Sequence, residues 1–225
     1  GGRHGHLIGS CAAEKRHRHH FSERSVRGTL GRLVTVLAVT RKVRTDLEEA
    51  LGQVREATSA DPEVRDRILA FCGEHTNALH RSCLDGHLTG SALVVDPASM
   101  RVLLLHHAKL DRWLQPGGHA DGDGDLGRVA LREAEEETGL TDLVLVTPAI
   151  DLDVHSIPER PGEPAHLHLD VRFLVLALGA TEITLNHEAF AARWVDQRDP
   201  DRLIASAELR RLVDRGLAVA RAIPR

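Results

Sequence analysis

The chain has 225 residues, of which 42% are hydrophobic, so it can form one domain of ordinary size with an appendage and a real core. A formal net charge of −4 argues against a general nucleic-acid binder or a membrane-surface binder, which would carry an excess of basic residues. The three cysteines, Cys11, Cys72 and Cys83, have no Cys-x-x-Cys spacing, so we expect free thiols in a reducing, cytoplasmic compartment.

The N-terminus has the composition of a tail. Residues 1–28 are rich in Gly, His and Arg and have no apolar period, which predicts a flexible basic segment. Its histidines His17, His19 and His20 could bind metal adventitiously. The apolar run Leu33–Val39 is too short to span a bilayer, so no membrane association is expected.

Two helices are predicted next, over residues 30–58 and 61–80. Asp61-Pro62 is typical of a helix start, because Asp caps the first turn and Pro is tolerated within it. An apolar helix face needs a partner. We therefore expect residues 29–86 to form a helical extension that packs against a larger domain over residues 87–225.

Strands and helices alternate in the rest of the chain. Residues 87–95 and 101–107 have the pattern of a strand and its hairpin partner. A glycine-rich turn precedes a helix over about residues 124–138. Further strands are predicted at residues 143–147, 150–155, 166–178 and 192–196, and a C-terminal helix at about residues 200–220. This order predicts an α/β fold, with a mixed sheet and helices on both of its sides.

Three acidic residues of the predicted helix share one face. Glu133, Glu136 and Glu137 are three and four positions apart, whereas Glu135 points elsewhere. Carboxylates held so close repel one another, and a hard cation such as Mg²⁺ or Mn²⁺ would relieve the repulsion. Most charge runs are only solvated helix faces. The upstream turn ending at Gly118 favours the metal site, since glycine lets the backbone approach a ligand closely.

The segment from Gly118 to Leu140 resembles the box of the Nudix hydrolase family. That box reads Gly, five residues, Glu, seven residues, Arg-Glu, an aliphatic, any residue, Glu-Glu, any residue, Gly, an aliphatic. The chain matches it at Gly118, Arg132, Glu133, Glu136, Glu137, Gly139 and Leu140. It departs at Gly124, where Glu is expected, and at Ala134, where a larger aliphatic is expected. Because both acidic parts must fall in one register, chance agreement is far less probable than for a short glycine pattern.

The resemblance implies an α/β/α sandwich that hydrolyses a diphosphate linkage in a nucleoside diphosphate joined to another group. It implies a Mg²⁺ or Mn²⁺ ion held by the carbonyl of Gly118 and by Glu133, Glu136 and Glu137, with Glu133 as ligand or general base. The substrate is then expected to be a small nucleotide derivative. The sequence leaves open whether the protein forms a homodimer. Asp123 or Asp125 could replace the Glu that is missing at position 124.

Substrate contacts are expected from His119, Arg132 and Glu188. His119 follows the glycine turn and could contact a phosphate, and Arg132 is expected to pair with a carboxylate and orient it. Glu188 is the nearest candidate for a second base. The other histidines considered outside the tail are expected to be structural or on the surface: His106, His107, His155, His166, His168 and His187. Of these, His166 and His168 share a strand face and could line the pocket.

Two other functions remain as alternatives. The change at Gly124 could leave a weakly active domain that senses ADP-ribose-like ligands, but all three helix acids are retained. An isoprenoid diphosphate isomerase of the same superfamily would be expected to carry a cysteine beside the glycine turn, and Gln115 to His119 contain none.

Overall fold

The strands of this protein form one mixed sheet. The computed structural model describes residues 42, 45–58, 61–108, 110–187, 189–199 and 202–224, and these all fall in a single unit that begins at Thr40. The predicted tail 1–28 and the start of the helix predicted over residues 30–58 lie outside the described residues. The elements are α1 (45–56), α2 (Pro62–Glu74), β1 (Gly86–Asp96), β2 (Arg101–His107), β3 (Arg112–Leu114), β4 (Gly117–His119), α3 (Leu126–Thr138), β5 (Leu143–Ile157), β6 (His166–Ala177), β7 (Ala189–Val195) and α4 (Ala207–Ala222).

Most elements lie where the sequence predicts them, with four corrections. Helix α2 ends at Glu74 rather than near residue 80, and residues 76–79 form turns. The two strands predicted at residues 143–147 and 150–155 are one strand, β5, whose pairing with β6 shifts between Val146 and Asp151. Strands β3 and β4 were not predicted, because three residues are too few to show a period. Helix α4 begins at Ala207 rather than near residue 200, where Ser206 caps it by accepting a hydrogen bond from the N–H of Leu209.

The sheet has the strand order β3-β2-β1-β6-β5, with β4 paired to β1 and β7 paired to β2. Strands β1 and β6 are parallel, and every other pair is antiparallel. The mixed sheet is therefore confirmed. Strand β1 is central: its C-terminal end pairs with β2, while residues Thr89–Ser91 pair with β4.

Each face of the sheet has its own apolar core. Helices α1, α2 and α3 cover one face, where Leu88, Val94 and Phe173 are buried. Helix α4 covers part of the other face, with Leu212 and Leu217 packed against its side chains. Because both faces are covered, all residues of β1 are buried, and its later part, residues 92–95, is a continuous apolar run.

Helices α1 and α2 belong to the core of the sheet. Val54 of α1 and Ile68 of α2 are fully buried in the same cluster as the sheet residues. The N–H of Thr58 also donates to the carbonyl oxygen of Ala149 at 2.8 Å, which ties the end of α1 to β5. No helix among the described residues is both long and apolar enough to cross a membrane.

A buried ionic network lies on the α4 face of the sheet. The guanidinium of Arg172 donates to Asp170 at 2.7 Å and to Asp153 at 2.9 Å, and Arg211 of α4 donates to Asp153 at 3.2 Å. Burial by itself raises the pKa of the Asp153 carboxyl, but the hydrogen bond from His155 and the charges of Arg172 and Arg211 hold that pKa at about 2. The network joins β5, β6 and α4 where the apolar core ends.

The place of α1 in the core predicts different effects for two adjacent residues. Val54→Ala removes fully buried methyl groups and should cost about 1–3 kcal/mol of unfolding free energy. Arg55→Ala removes only an exposed ion pair with Glu48 and should change stability by less than about 0.5 kcal/mol. Urea unfolding measures both values. Equal, small effects would contradict the packing of α1.

Candidate active site

Helix α3 lies unusually close to the sheet because glycines face it. A Cβ on Gly90 would lie 2.5 Å from the carbonyl oxygen of Leu126, and a Cβ on Gly118 would lie 2.4 Å from the carboxyl carbon of Glu133. Neither position could carry a side chain without movement of the helix or of that carboxyl group. Ala134, the departure from the box, is fully buried in the same contact, where a small residue fits the short separation. Close approach thus places Glu133 against strand β4.

The acids of α3 lie on neighbouring turns of the helix, but among the described residues their carboxylates do not converge into a group of metal ligands. Glu137 is buried, and its Oε2 accepts a hydrogen bond from the N–H of Gly117 at 3.0 Å. Glu133 is mostly buried, whereas Glu136 keeps 61% of its side chain exposed. Glu135 is exposed. The helix ends at Gly139, which has the left-handed conformation expected for that position (φ 66°).

Arg132 holds one of these carboxylates. Its Nη2 donates to Oε1 of Glu133 at 2.8 Å, and its Nε lies 4.0 Å from Oε1 of Glu136. The guanidinium therefore contacts two of the three acids, while the carboxyl group of Glu133 lies against Gly118. This is the orienting contact that the sequence predicts for Arg132.

The missing box residue at Gly124 has a structural cause. A Cβ at Gly124 would lie 2.1 Å from the carbonyl oxygen of Asp46 in α1, so the backbone of that helix occupies the space that a side chain would need. Gln53 of α1 also bonds to this turn, donating to the carbonyl oxygen of Gly124 at 3.3 Å and accepting from the N–H of Gly127 at 3.1 Å. Helix α1 thus takes the position of the box glutamate.

The two neighbouring acids have partners at the start of α3. Asp125 caps the helix by accepting from the N–H of Arg128 at 3.0 Å. Asp123 accepts from the N–H of Asp125 at 3.0 Å and from the guanidinium of Arg128 at 2.6 Å. These contacts give both residues a role in starting the helix. The sequence predicts only that one of them could act as a metal ligand in place of the missing Glu.

Five histidines meet on the face of the sheet opposite α3. The ring centroid of His87 lies 4.8 Å from those of His119 and His166 and 5.1 Å from that of His168. The centroid of His168 also lies 5.5 Å from that of His155. The cause is strand pairing, since His87 is opposite His168 in the β1–β6 ladder and Thr89 is opposite His119 in the β1–β4 ladder.

The central rings of this histidine cluster are uncharged. Burial lowers the pKa of His87, lowers that of His119 to about 4 and lowers that of His168 to about 2, and the neighbouring rings lower each value further. At neutral pH each of these imidazoles therefore keeps a lone pair on one nitrogen.

The sequence alone gives no reason to group these histidines together, and it indicates no role for His87. His166 and His168 lie on one strand face as expected, with centroids 5.2 Å apart. Of the remaining expected residues, Glu188 lies outside the described residues. His106 is far along β2, where its ring stacks on Trp113.

Comparison with known proteins assigns the family. Residues 87–215, more than half of the chain, match the family described as NUDIX domain. The chain belongs to the Nudix family. It is accordingly an enzyme of the Nudix hydrolase type, and the family match extends from β1 into α4. No curated protein matches the chain.

Solved structures share the Nudix fold with this enzyme. The C. elegans Ap4A hydrolase, in a binary complex, is 20% identical, with 60% of this chain and 98% of that chain covered and a TM-score of 0.50. The E. coli dihydroneopterin triphosphate pyrophosphohydrolase is 19% identical, with coverage of 59% and 95% and a TM-score of 0.48. The likeness to the C. elegans enzyme concerns the fold alone. Helices α1 and α2 precede the matched region of the Nudix enzyme, yet they share its core.

Restoring the box glutamate should harm this Nudix enzyme. In Gly124→Glu the new side chain collides with the backbone of Asp46, so we expect a loss of several kcal/mol or displacement of α1, and no gain in turnover. Gly52→Ala is the control, because its Cβ meets nothing within 4 Å inside α1 and should stabilise the helix by about 0.5–1 kcal/mol. Thermal unfolding and activity of both variants test this. A stable, more active Gly124→Glu enzyme would refute the role given to α1.

Proposed function

We propose that this enzyme hydrolyses a diphosphate linkage in a nucleoside diphosphate joined to another group, and that Mg²⁺ or Mn²⁺ binds at Glu133, Glu136, Glu137 and the carbonyl of Gly118. The observation that carries the proposal is the contact between Gly118 and the carboxyl group of Glu133. It brings a backbone turn and the acidic face of a helix together at one point. A nucleotide would bind there chiefly through its phosphates.

The chemistry of these residues fits such an ion, because Mg²⁺ and Mn²⁺ prefer carboxylate and carbonyl oxygens and α3 carries three carboxylates on the side of Gly118. Among the described residues these carboxylates do not yet meet as a group of metal ligands, so at least one of them would have to move when an ion binds. The absence of a side chain at Gly118 supports the fit, because any Cβ there would fill the space next to Glu133. When bound, the ion supplies neutralisation of phosphate charge and polarisation of the bond that breaks.

Each acid has a distinct task in this proposal. The hydrogen bond from the N–H of Gly117 fixes Glu137 before any ligand arrives, which removes the entropy cost of ordering it. The hydrogen bond from Arg132 fixes Glu133 in the same way. Glu136 is the most exposed of the three and faces an incoming phosphate. Glu133 could act as a ligand or as the base that takes a proton from the attacking water.

The nucleotide part of the substrate is assigned by class only. The C. elegans neighbour is named for Ap4A, so a dinucleoside polyphosphate belongs in the first panel of compounds, together with nucleotide sugars and nucleoside triphosphates. Release of phosphate or nucleotide, with and without Mn²⁺, identifies the substrate. Tight binding of ADP-ribose without any turnover would instead favour the ligand sensor.

Substitution of glutamate by glutamine separates the acids by position. Glu136→Gln and Glu137→Gln should each lower turnover about a hundredfold or more, which corresponds to about 3 kcal/mol of lost transition-state stabilisation. Glutamine at position 137 can still accept the hydrogen bond from Gly117, so the fold should survive. Initial rates at saturating Mn²⁺ measure the effect.

Glu135→Gln is the matched control, because Glu135 lies on the same helix but is exposed and turned away from the acidic face. Its rate should stay within a few-fold of that of the parent. Equal losses in all three variants, or no loss in any, would show that α3 contributes to the fold without holding a metal.

A further inference from the structure

We propose that His87, His119 and His168 form a second metal site, selective for a transition-metal ion such as Zn²⁺ and separate from the acidic face of α3. One potential ligand nitrogen from each of these side chains lies within 4.8 Å of the others. Neutral imidazoles are preferred ligands of Zn²⁺ and are poor ligands for Mg²⁺. The two sites would therefore select different ions.

Hydrogen bonds to backbone carbonyls fix which ring nitrogen carries the proton and which carries the lone pair in two histidines of the cluster. Nδ1 of His87 lies 3.4 Å from the carbonyl oxygen of Cys83, which can accept a hydrogen bond but cannot donate one. The proton therefore sits on Nδ1, and the lone pair is on Nε2. His166 has the same arrangement, with Nδ1 at 2.8 Å from the carbonyl oxygen of Pro164. Such bonds to the far nitrogen orient the histidines of metal sites and fix their tautomers.

Ring nitrogens of this cluster are buried without partners. Nε2 of His87 and Nε2 of His119 make no hydrogen bond among the described residues, and neither does Nε2 of the neighbouring His166. A buried polar atom without a partner costs about 1–3 kcal/mol, so several such atoms in one cluster are a considerable penalty for the fold. A metal ion bound to the lone pairs of His87 and His119 would remove that penalty at two of them.

The dimensions suit a small ion. Imidazole nitrogens around tetrahedral Zn²⁺ are about 3.4 Å apart, given metal–nitrogen distances of about 2.0–2.1 Å. From 4.8 Å, each ring needs to move inward by less than about 1 Å to reach that spacing. The three ligands come from β1, β4 and β6, so the surrounding sheet already fixes their relative positions. Three protein ligands leave one coordination position open for water or substrate.

The positive charge of Arg81 opposes a cation at this cluster, and the carboxylates of Asp121 and Glu163 offset it. Arg81 is paired with Asp121 through two hydrogen bonds of 2.8 Å. Glu163 adds a negative charge, with its carboxylate 3.7 Å from Nε2 of His166. The site is also separate from the acidic face of α3. Successive residues of β4 point to opposite faces of the sheet, so Gly118 faces the helix and His119 faces the other way.

Cobalt binding tests this site without reference to activity. The full chain is stripped with a chelator and titrated with Co²⁺, whose strong visible absorption is typical of four-coordinate nitrogen sites and is weak in six-coordinate oxygen sites. We expect one equivalent to give the strong spectrum and Zn²⁺ to abolish it. Either His168→Gln or His119→Gln should weaken Co²⁺ binding about a hundredfold or more.

Three controls separate this site from other metal binding. His187→Gln, at an exposed histidine outside the cluster, and Glu136→Gln, on the acidic face of α3, should keep the spectrum of the parent. Replacing His17, His19 and His20 of the N-terminal tail together by Gln should also leave it unchanged. Circular dichroism establishes that each variant is folded.

A parent protein that shows only the weak six-coordinate spectrum overturns the proposal, whatever the variants do. Loss of the strong spectrum in the tail variant overturns it as well, since the metal would then belong to the tail. Retention of full affinity in a folded His168→Gln or His119→Gln protein has the same meaning. None of these results depends on Glu133, Glu136 and Glu137, so the proposed hydrolysis could fail while this site stands, or the reverse.

Discussion

The close contact between α3 and the sheet is the constraint on which the candidate active site depends. Gly90 and Gly118 present bare backbone to the helix, and Ala134 presents a single methyl group to the sheet. A helix kept farther away by larger side chains could still carry its acids, but Glu133 would not reach Gly118. The protein core therefore has small residues where α3 and β4 approach each other, and the proposed metal site depends on that short distance.

A second consequence concerns the helices before the family domain. Helix α1 fills the space beside Gly124, bonds to the turn through Gln53 and contributes Val54 to the core. The space that a side chain at position 124 would need is thus occupied by a packed helix. The described residues of this N-terminal extension, which looks like an appendage in sequence, therefore support the turn that leads into α3.

Much of this could be predicted from sequence because it is local. Helical spacing places Glu133, Glu136 and Glu137 on one face, and Gly139 ends the helix where the pattern says it should. The histidine cluster could not be predicted in the same way. It depends on the pairing of β1 with β6 and of β1 with β4, which joins residues about 30 to 80 positions apart and leaves no period in the sequence. The contact between Gly124 and Asp46 is hidden for the same reason.

The central claim is that the acidic face of α3 and the carbonyl of Gly118 hold the divalent ion of this Nudix enzyme. Anomalous X-ray diffraction from crystals soaked in Mn²⁺ tests it most directly, because the signal locates manganese independently of any assumed mechanism. The account predicts a strong peak beside the carboxylates of Glu133 and Glu136. A peak only among the imidazoles of the histidine cluster, or no peak near α3 at saturating Mn²⁺, would contradict it.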